Sequence, residues 1–121
     1  MGLEINQIAK VFPLEARTAT ITSSTQINEK YRGIRLFLNV TAASGTAPTL
    51  DVKLQFKDPL SETWIDIPGV SFAQKTAAST DELVLYPGIT VAANRSVNTV
   101  LPYEWRAVAT VGGNTPSFNW S

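Results

Sequence analysis

Every second residue of Leu50-Asp51-Val52-Lys53-Leu54-Gln55-Phe56-Lys57 is apolar, and every other one is polar. Side chains of an extended strand point alternately to its two faces, so this pattern places one face on a core and the other in water. A helix would scatter the same residues around its circumference. Ile34-Arg35-Leu36-Phe37-Leu38-Asn39-Val40-Thr41 repeats the pattern, with aliphatic residues at the even positions. Weaker strand signals cover residues 18–23, 63–67, 70–75, 82–86, 104–111 and 117–120, which brings the expected total to about eight strands.

The intervals between these segments carry turn chemistry: Ala43 to Pro48, Asp58-Pro59, Pro68-Gly69, Pro87-Gly88 and Gly112-Gly113-Asn114. Such residues supply the backbone angles that reverse a chain. Residues 111–116 predict a hairpin joining the last two strands. Short alternating strands without strand–helix alternation predict an all-β fold, a sandwich, a jelly roll or a small barrel, with a β-sandwich or jelly roll of antiparallel strands expected. Residues 17–121 are expected to form that single domain. Residues 89–103 show little periodicity and predict a long connection, of the kind that crosses between sheets or serves a function.

Residues 1–16 stand apart. Leu3, Ile5, Ile8, Val11, Phe12 and Leu14 make this segment apolar without strict alternation. Ile5, Ile8 and Phe12 would share one face of a short helix, which Pro13 would end. Two readings follow. Either the segment packs on its own domain as a strand or short helix, or it is an arm that orders on a neighbouring subunit or another protein.

Composition narrows the chemistry. The 121 residues contain no cysteine and no histidine, and ten Lys and Arg balance ten Asp and Glu. The usual general base near neutral pH, the commonest zinc ligand and every thiolate nucleophile are therefore missing, so no enzyme and no cofactor is expected. Neutral charge gives no electrostatic reason to expect nucleic acid or an anionic membrane as partner. The first ten residues lack a basic and long apolar run, and no stretch is long enough to span a bilayer, so synthesis and folding in a cytoplasm are expected.

The remaining candidates divide by side-chain type. Asp51, Asp58, Glu62 and Asp66 fall close together, but Asp51 belongs to the solvent face of a strand and Asp58-Pro59 opens a turn. Neither calcium-loop nor glycosidase spacing is present. Trp64, Trp105 and Trp120 with Tyr31, Tyr86 and Tyr103 could stack on sugars. Trp105 and Trp120 alternate with core-type residues, whereas Trp64 is out of phase with Ile65 and Ile67, which makes it the best exposed aromatic. Arg32, Arg35, Lys53 and Lys57 are expected as solvated charge on outer faces, where cross-strand pairing with Asp51 is one option. Sequons such as Asn39-Val40-Thr41 arise readily in a chain rich in Ser and Thr.

The runs Arg35-Leu36-Phe37-Leu38-Asn39-Val40-Thr41-Ala42, Gly45-Thr46-Ala47-Pro48-Thr49-Leu50-Asp51-Val52, Trp64-Ile65-Asp66-Ile67-Pro68-Gly69 and Ala109-Thr110-Val111-Gly112-Gly113-Asn114 resemble small virion structural proteins of tailed bacteriophages. The resemblance spans residues 31–120 and leaves the N-terminal segment outside. It implies a capsid decoration (cement) protein on the outer surface of the head, a homotrimer whose partner is the major capsid protein. The expected contacts are Leu3, Ile5, Ile8, Val11, Phe12, Leu14 and Trp64. A tail, neck or fibre domain and a carbohydrate-binding module for host adsorption are the alternatives.

Overall fold

The computed structural model describes residues 10–121, and everything structural below concerns those residues. They form an all-β protein of eight strands in one hydrogen-bonded sheet. The strands are β1 (Glu15–Arg17), β2 (Ile21–Thr22), β3 (Gln26–Ile27), β4 (Ile34–Lys57), β5 (Trp64–Ser71), β6 (Ser79–Leu85), β7 (Ser96–Val97) and β8 (Glu104–Trp120).

Two strands dominate. β4 runs for 24 residues and β8 for 17. They pair antiparallel almost throughout, from Val40 opposite Trp120 to Phe56 opposite Trp105. This corrects the expectation of uniformly short strands. Residues 45–48 and 111–116 both look like chain reversals, yet each lies within a continuous strand, and the two lie across from each other. The register slips between Ser44 and Thr46 and again between Thr46 and Thr49. Gly45, Ala47, Gly113 and Thr115 all take positive φ there, at 109°, 48°, 108° and 45°. Paired bulges with left-handed residues turn the whole ribbon instead of ending it.

The bend divides the sheet into two halves. In one, the start of β4 pairs with β6 and the end of β8 pairs with β1. In the other, the second part of β4 pairs with β5, while the first part of β8 pairs with β2 and β3. Leu38, Val40, Leu83, Leu85, Phe118 and Trp120 from the first half share a single core with Leu50, Val52, Leu54, Val70, Trp105 and Ala109 from the second. Leu50, Leu85, Ala109 and Phe118 have no exposure at all. A sheet without helices buries side chains so completely only if its halves close on each other.

Local pattern and global packing agree along the long strands: the even residues of both alternating segments face inward, as do Trp105, Ala107 and Ala109. Other expectations need correction. Pro68-Gly69 is an irregularity inside β5, where the β4 register shifts between Lys53 and Gln55, and not a turn between two strands. β7 lies in the region expected to be a bare connection, and it pairs parallel with β6, so the sheet is mixed. Residues 10–14 form no helix. Asp58-Pro59 and Pro87-Gly88 do open turns.

Two cations are buried. Lys75 is 4% exposed and reaches Asp81 at 2.6 Å and Ser79 at 2.7 Å, while its backbone exchanges both hydrogen bonds with Leu50. Arg17 lies over the Trp120 ring at 4.4 Å and the Phe12 ring at 5.4 Å. Its guanidinium donates to the carbonyls of Trp120 at 2.9 Å and Pro13 at 2.7 Å. Planar delocalised charge suits such stacking, and the carbonyls satisfy donors that burial removes from water.

Because both halves share one core, Phe118→Ala is expected to lower the stability of the whole domain by about 3–5 kcal/mol in a single urea transition. Separate transitions for the two halves would contradict that. At the bend, a Cβ on Gly45 would sit 2.6 Å from the Thr115 carbonyl oxygen. Gly45→Ala should therefore lower stability, read from urea unfolding, by more than the ~1 kcal/mol that left-handed backbone alone costs an alanine.

Candidate functional site

A pocket of about 1070 Å³ lies between the two halves. Its walls include Ile34, Leu36, Leu54, Leu85, Leu101 and Trp105, so its interior is apolar. Lys10, Val11 and Phe12 line it from one side, and the segment from Gln26 to Arg32 crosses near its mouth. Phe12 is buried, with its ring edge-on to Trp120 at 4.7 Å between centroids.

Beside the mouth, two hydrogen-bonded segments present apolar side chains to solvent. Asn28 donates its backbone N–H to the Tyr103 carbonyl at 2.7 Å, and Leu101 donates to the Arg32 carbonyl at 2.7 Å. On these segments Ile27, Val100 and Tyr103 are each more than half exposed. Phe37 on β4 and Tyr86 just after β6 add exposed rings to the residues that line the cleft. The Asn28 side chain pins this end: it donates to the carbonyls of Tyr31 and Leu101 and accepts the Tyr31 N–H. An apolar rim on a stiffened support suits contact with another macromolecule.

The expected contact residues separate into three groups. Leu3, Ile5 and Ile8 lie outside the described residues. Val11 and Phe12 turn inward, and β1 follows directly, so the chain from residue 11 onward is part of the folded body. Leu14 is about half exposed, at 51%. Trp64 is on the outer face, as its phase requires, but it is only partly exposed, and the Arg106 guanidinium covers one of its faces at 4.3 Å.

The acidic residues do not converge. Asp58 accepts the Leu60 backbone N–H at 2.9 Å and the Ser61 hydroxyl at 2.8 Å, which holds the turn. Glu62 points at Lys57, 3.9 Å away. Asp66 accepts from Lys53 at 2.9 Å and Gln55 at 2.8 Å, and Gln55 in turn accepts from Arg106 at 2.8 Å. This row, ending on Trp64, is an outer-face network across three strands. Asp51 takes Gln74 at 2.9 Å instead of a cross-strand cation, which corrects that pairing. Among the described residues no group of three or more acidic side chains is placed to hold a metal ion.

Sequence reasoning did not anticipate the cleft, its rim or the Arg17 stack. Ile27, Val100 and Tyr103 fall in stretches without periodicity, and only the fold brings them together. No family model, curated protein or solved structure matches the chain.

Hydrogen bonds from the Leu60 N–H and the Ser61 hydroxyl lower the Asp58 pKa, and those from Gln55 and Lys53 lower that of Asp66. A carboxylate whose folded value is depressed stabilises the protein above its unfolded value, near 3.8, and loses that effect as pH falls through the folded value. Both groups are exposed, so the effect is small. Urea midpoints measured from about pH 5 down to about pH 2 should fall less steeply in the Asp58→Asn, Asp66→Asn double variant than in the native chain. Parallel slopes would show that neither carboxylate is linked to folding.

Proposed function

We propose that this chain is a structural protein of a tailed-bacteriophage particle, a decoration protein on the capsid exterior. In this reading it is a non-enzymatic β-sandwich of the jelly-roll kind that binds the major capsid protein as a homotrimer. The observation that carries the reading is the apolar rim of Ile27, Val100 and Tyr103 on a braced end of a cysteine-free body. Resemblance of residues 31–120 to phage virion proteins supplies the setting. A rigid surface loses little conformational entropy on docking, and repetition over a symmetric shell multiplies weak contacts.

Contact through the rim differs from contact through an extended N-terminal arm. Phe12 and Arg17 are built into the core, so removing residues 1–16 would damage the domain itself. A tail or fibre position uses the same surface chemistry, and copy number on labelled particles separates the two. The sugar-binding alternative has less support, because Trp105 and Trp120 of the expected aromatic platform are buried and Arg106 lies over one face of Trp64.

Purified protein mixed with undecorated heads should co-sediment at about micromolar concentration and raise their resistance to heat; Ile27→Asp with Tyr103→Asp should weaken binding by at least about tenfold. Failure of the native protein to bind heads would overturn the decoration reading. Equal binding by the folded double variant would move the contact elsewhere.

A further inference from the structure

Asp58–Pro59 is the single Asp–Pro bond of the chain, and it lies in the turn between β4 and β5, where Pro59 through Thr63 are exposed. The Asp58 carboxylate is held on both oxygens. Oδ1 accepts the Leu60 backbone N–H at 2.9 Å, and Oδ2 accepts the Ser61 hydroxyl at 2.8 Å. Both donors follow the Asp58–Pro59 bond in sequence, so the carboxylate folds forward over that bond. The Asp58 carbonyl oxygen accepts the Glu62 N–H at 2.8 Å. Glu62 takes positive φ, 60°, and the Asp58 N–H donates to the Thr63 carbonyl at 2.9 Å, which fixes the turn.

These contacts gather the parts of an acyl-transfer reaction at one peptide bond. A carboxylate is a nucleophile when it is held beside a carbonyl carbon. An N–H aimed at the carbonyl oxygen stabilises the negative charge that attack would place there. Proline supplies a tertiary amide nitrogen that carries no hydrogen of its own.

We propose that the chain cleaves itself between Asp58 and Pro59 in mild acid, with the Asp58 carboxylate as nucleophile. A carboxylate oxygen bonds to the Asp58 carbonyl carbon and the C–N bond to Pro59 breaks. Its electron pair goes to the proline nitrogen, which takes a proton from the acidic solvent. Asp58 is left as a cyclic anhydride, and one water opens it to two carboxyl groups. The net change is hydrolysis of one peptide bond by one water, and exposure of the turn admits that water. Each chain reacts once on itself, which requires neither histidine nor cysteine.

Hydrogen bonds from Leu60 and Ser61 hold the Asp58 carboxyl below its ordinary value. The nucleophile therefore stays ionised at acidities where the proline nitrogen gains protons more readily. The charged groups around the turn are Lys57, Glu62 and Glu104, and Lys57 lies 3.9 Å from each of the two glutamates. No cation among the described residues pairs with Asp58, so none competes for the carboxylate. The proposal is independent of the virion reading.

Mass spectrometry tests it on the full-length protein, incubated at the lowest pH at which circular dichroism shows the native fold. Fragments ending at Asp58 and beginning at Pro59 should accumulate at least about tenfold faster than from a synthetic peptide of residues 54–64 in the same buffer. A native rate equal to or below that of the peptide overturns the proposal, and this comparison needs no variant to fold. Cleavage to the same extent after Asp51, Asp66 or Asp81 marks general acid hydrolysis and overturns it too. A folded Asp58→Asn variant should leave the bond intact; the native rate there removes the nucleophile from the argument. Ser61→Ala keeps the nucleophile but frees one of its oxygens, so its rate should fall toward that of the peptide. An unchanged rate in the folded Ser61→Ala variant shows that the turn does not aim the carboxylate, which also overturns the proposal.

Discussion

Pairing between β4 and β8 organises the molecule. The ladder joins residues 40–56 to residues 105–120, so its contacts are distant in sequence, and closing that loop costs conformational entropy before any contact compensates for it. Once formed, it defines both halves of the sheet, because β5 and β6 add to β4 while β1, β2 and β3 add to β8. The central core residues on each side, Leu50, Val52, Ala109 and Phe118, come from these two strands. Every other strand except β7, which joins through β6, is attached to this ribbon.

The bend follows from the same pairing. Two strands that press together tightly enough for Gly45 to lie against Thr115, and Gly113 against Ala47, cannot change direction separately. They turn as a pair, and the glycines permit both the close approach and the positive φ. At the closed end the apolar rows of the two halves meet and bury side chains completely.

Electrostatics reinforce this arrangement. Outer-face pairs such as Lys53 with Asp66 lie across neighbouring strands, where solvent screens them and each contributes little. The buried cations act at joints. Arg17 ties the chain entering β1 to Trp120 near the end of β8, and Lys75 ties the segment leaving β5 to β6 beside Leu50. Each donates to a group from a second part of the chain, so each holds two elements in place.

Period-two alternation is local chemistry, and it determined which faces of residues 34–40 and 50–57 are buried, the inward placement of Trp105 and Trp120, and the outward placement of Trp64. Absence of His and Cys was likewise complete in the sequence. Turn residues were ambiguous, because Gly45 and Gly113 supply the same left-handed backbone to a hairpin or to a bulged bend, and only the partner strand selects between them. Partner choice, the parallel pairing of β7, the Arg17 stack and the gathering of Ile27, Val100 and Tyr103 at one end arise from contacts between distant residues. No window of neighbouring residues carries that information, so tertiary packing alone decided them.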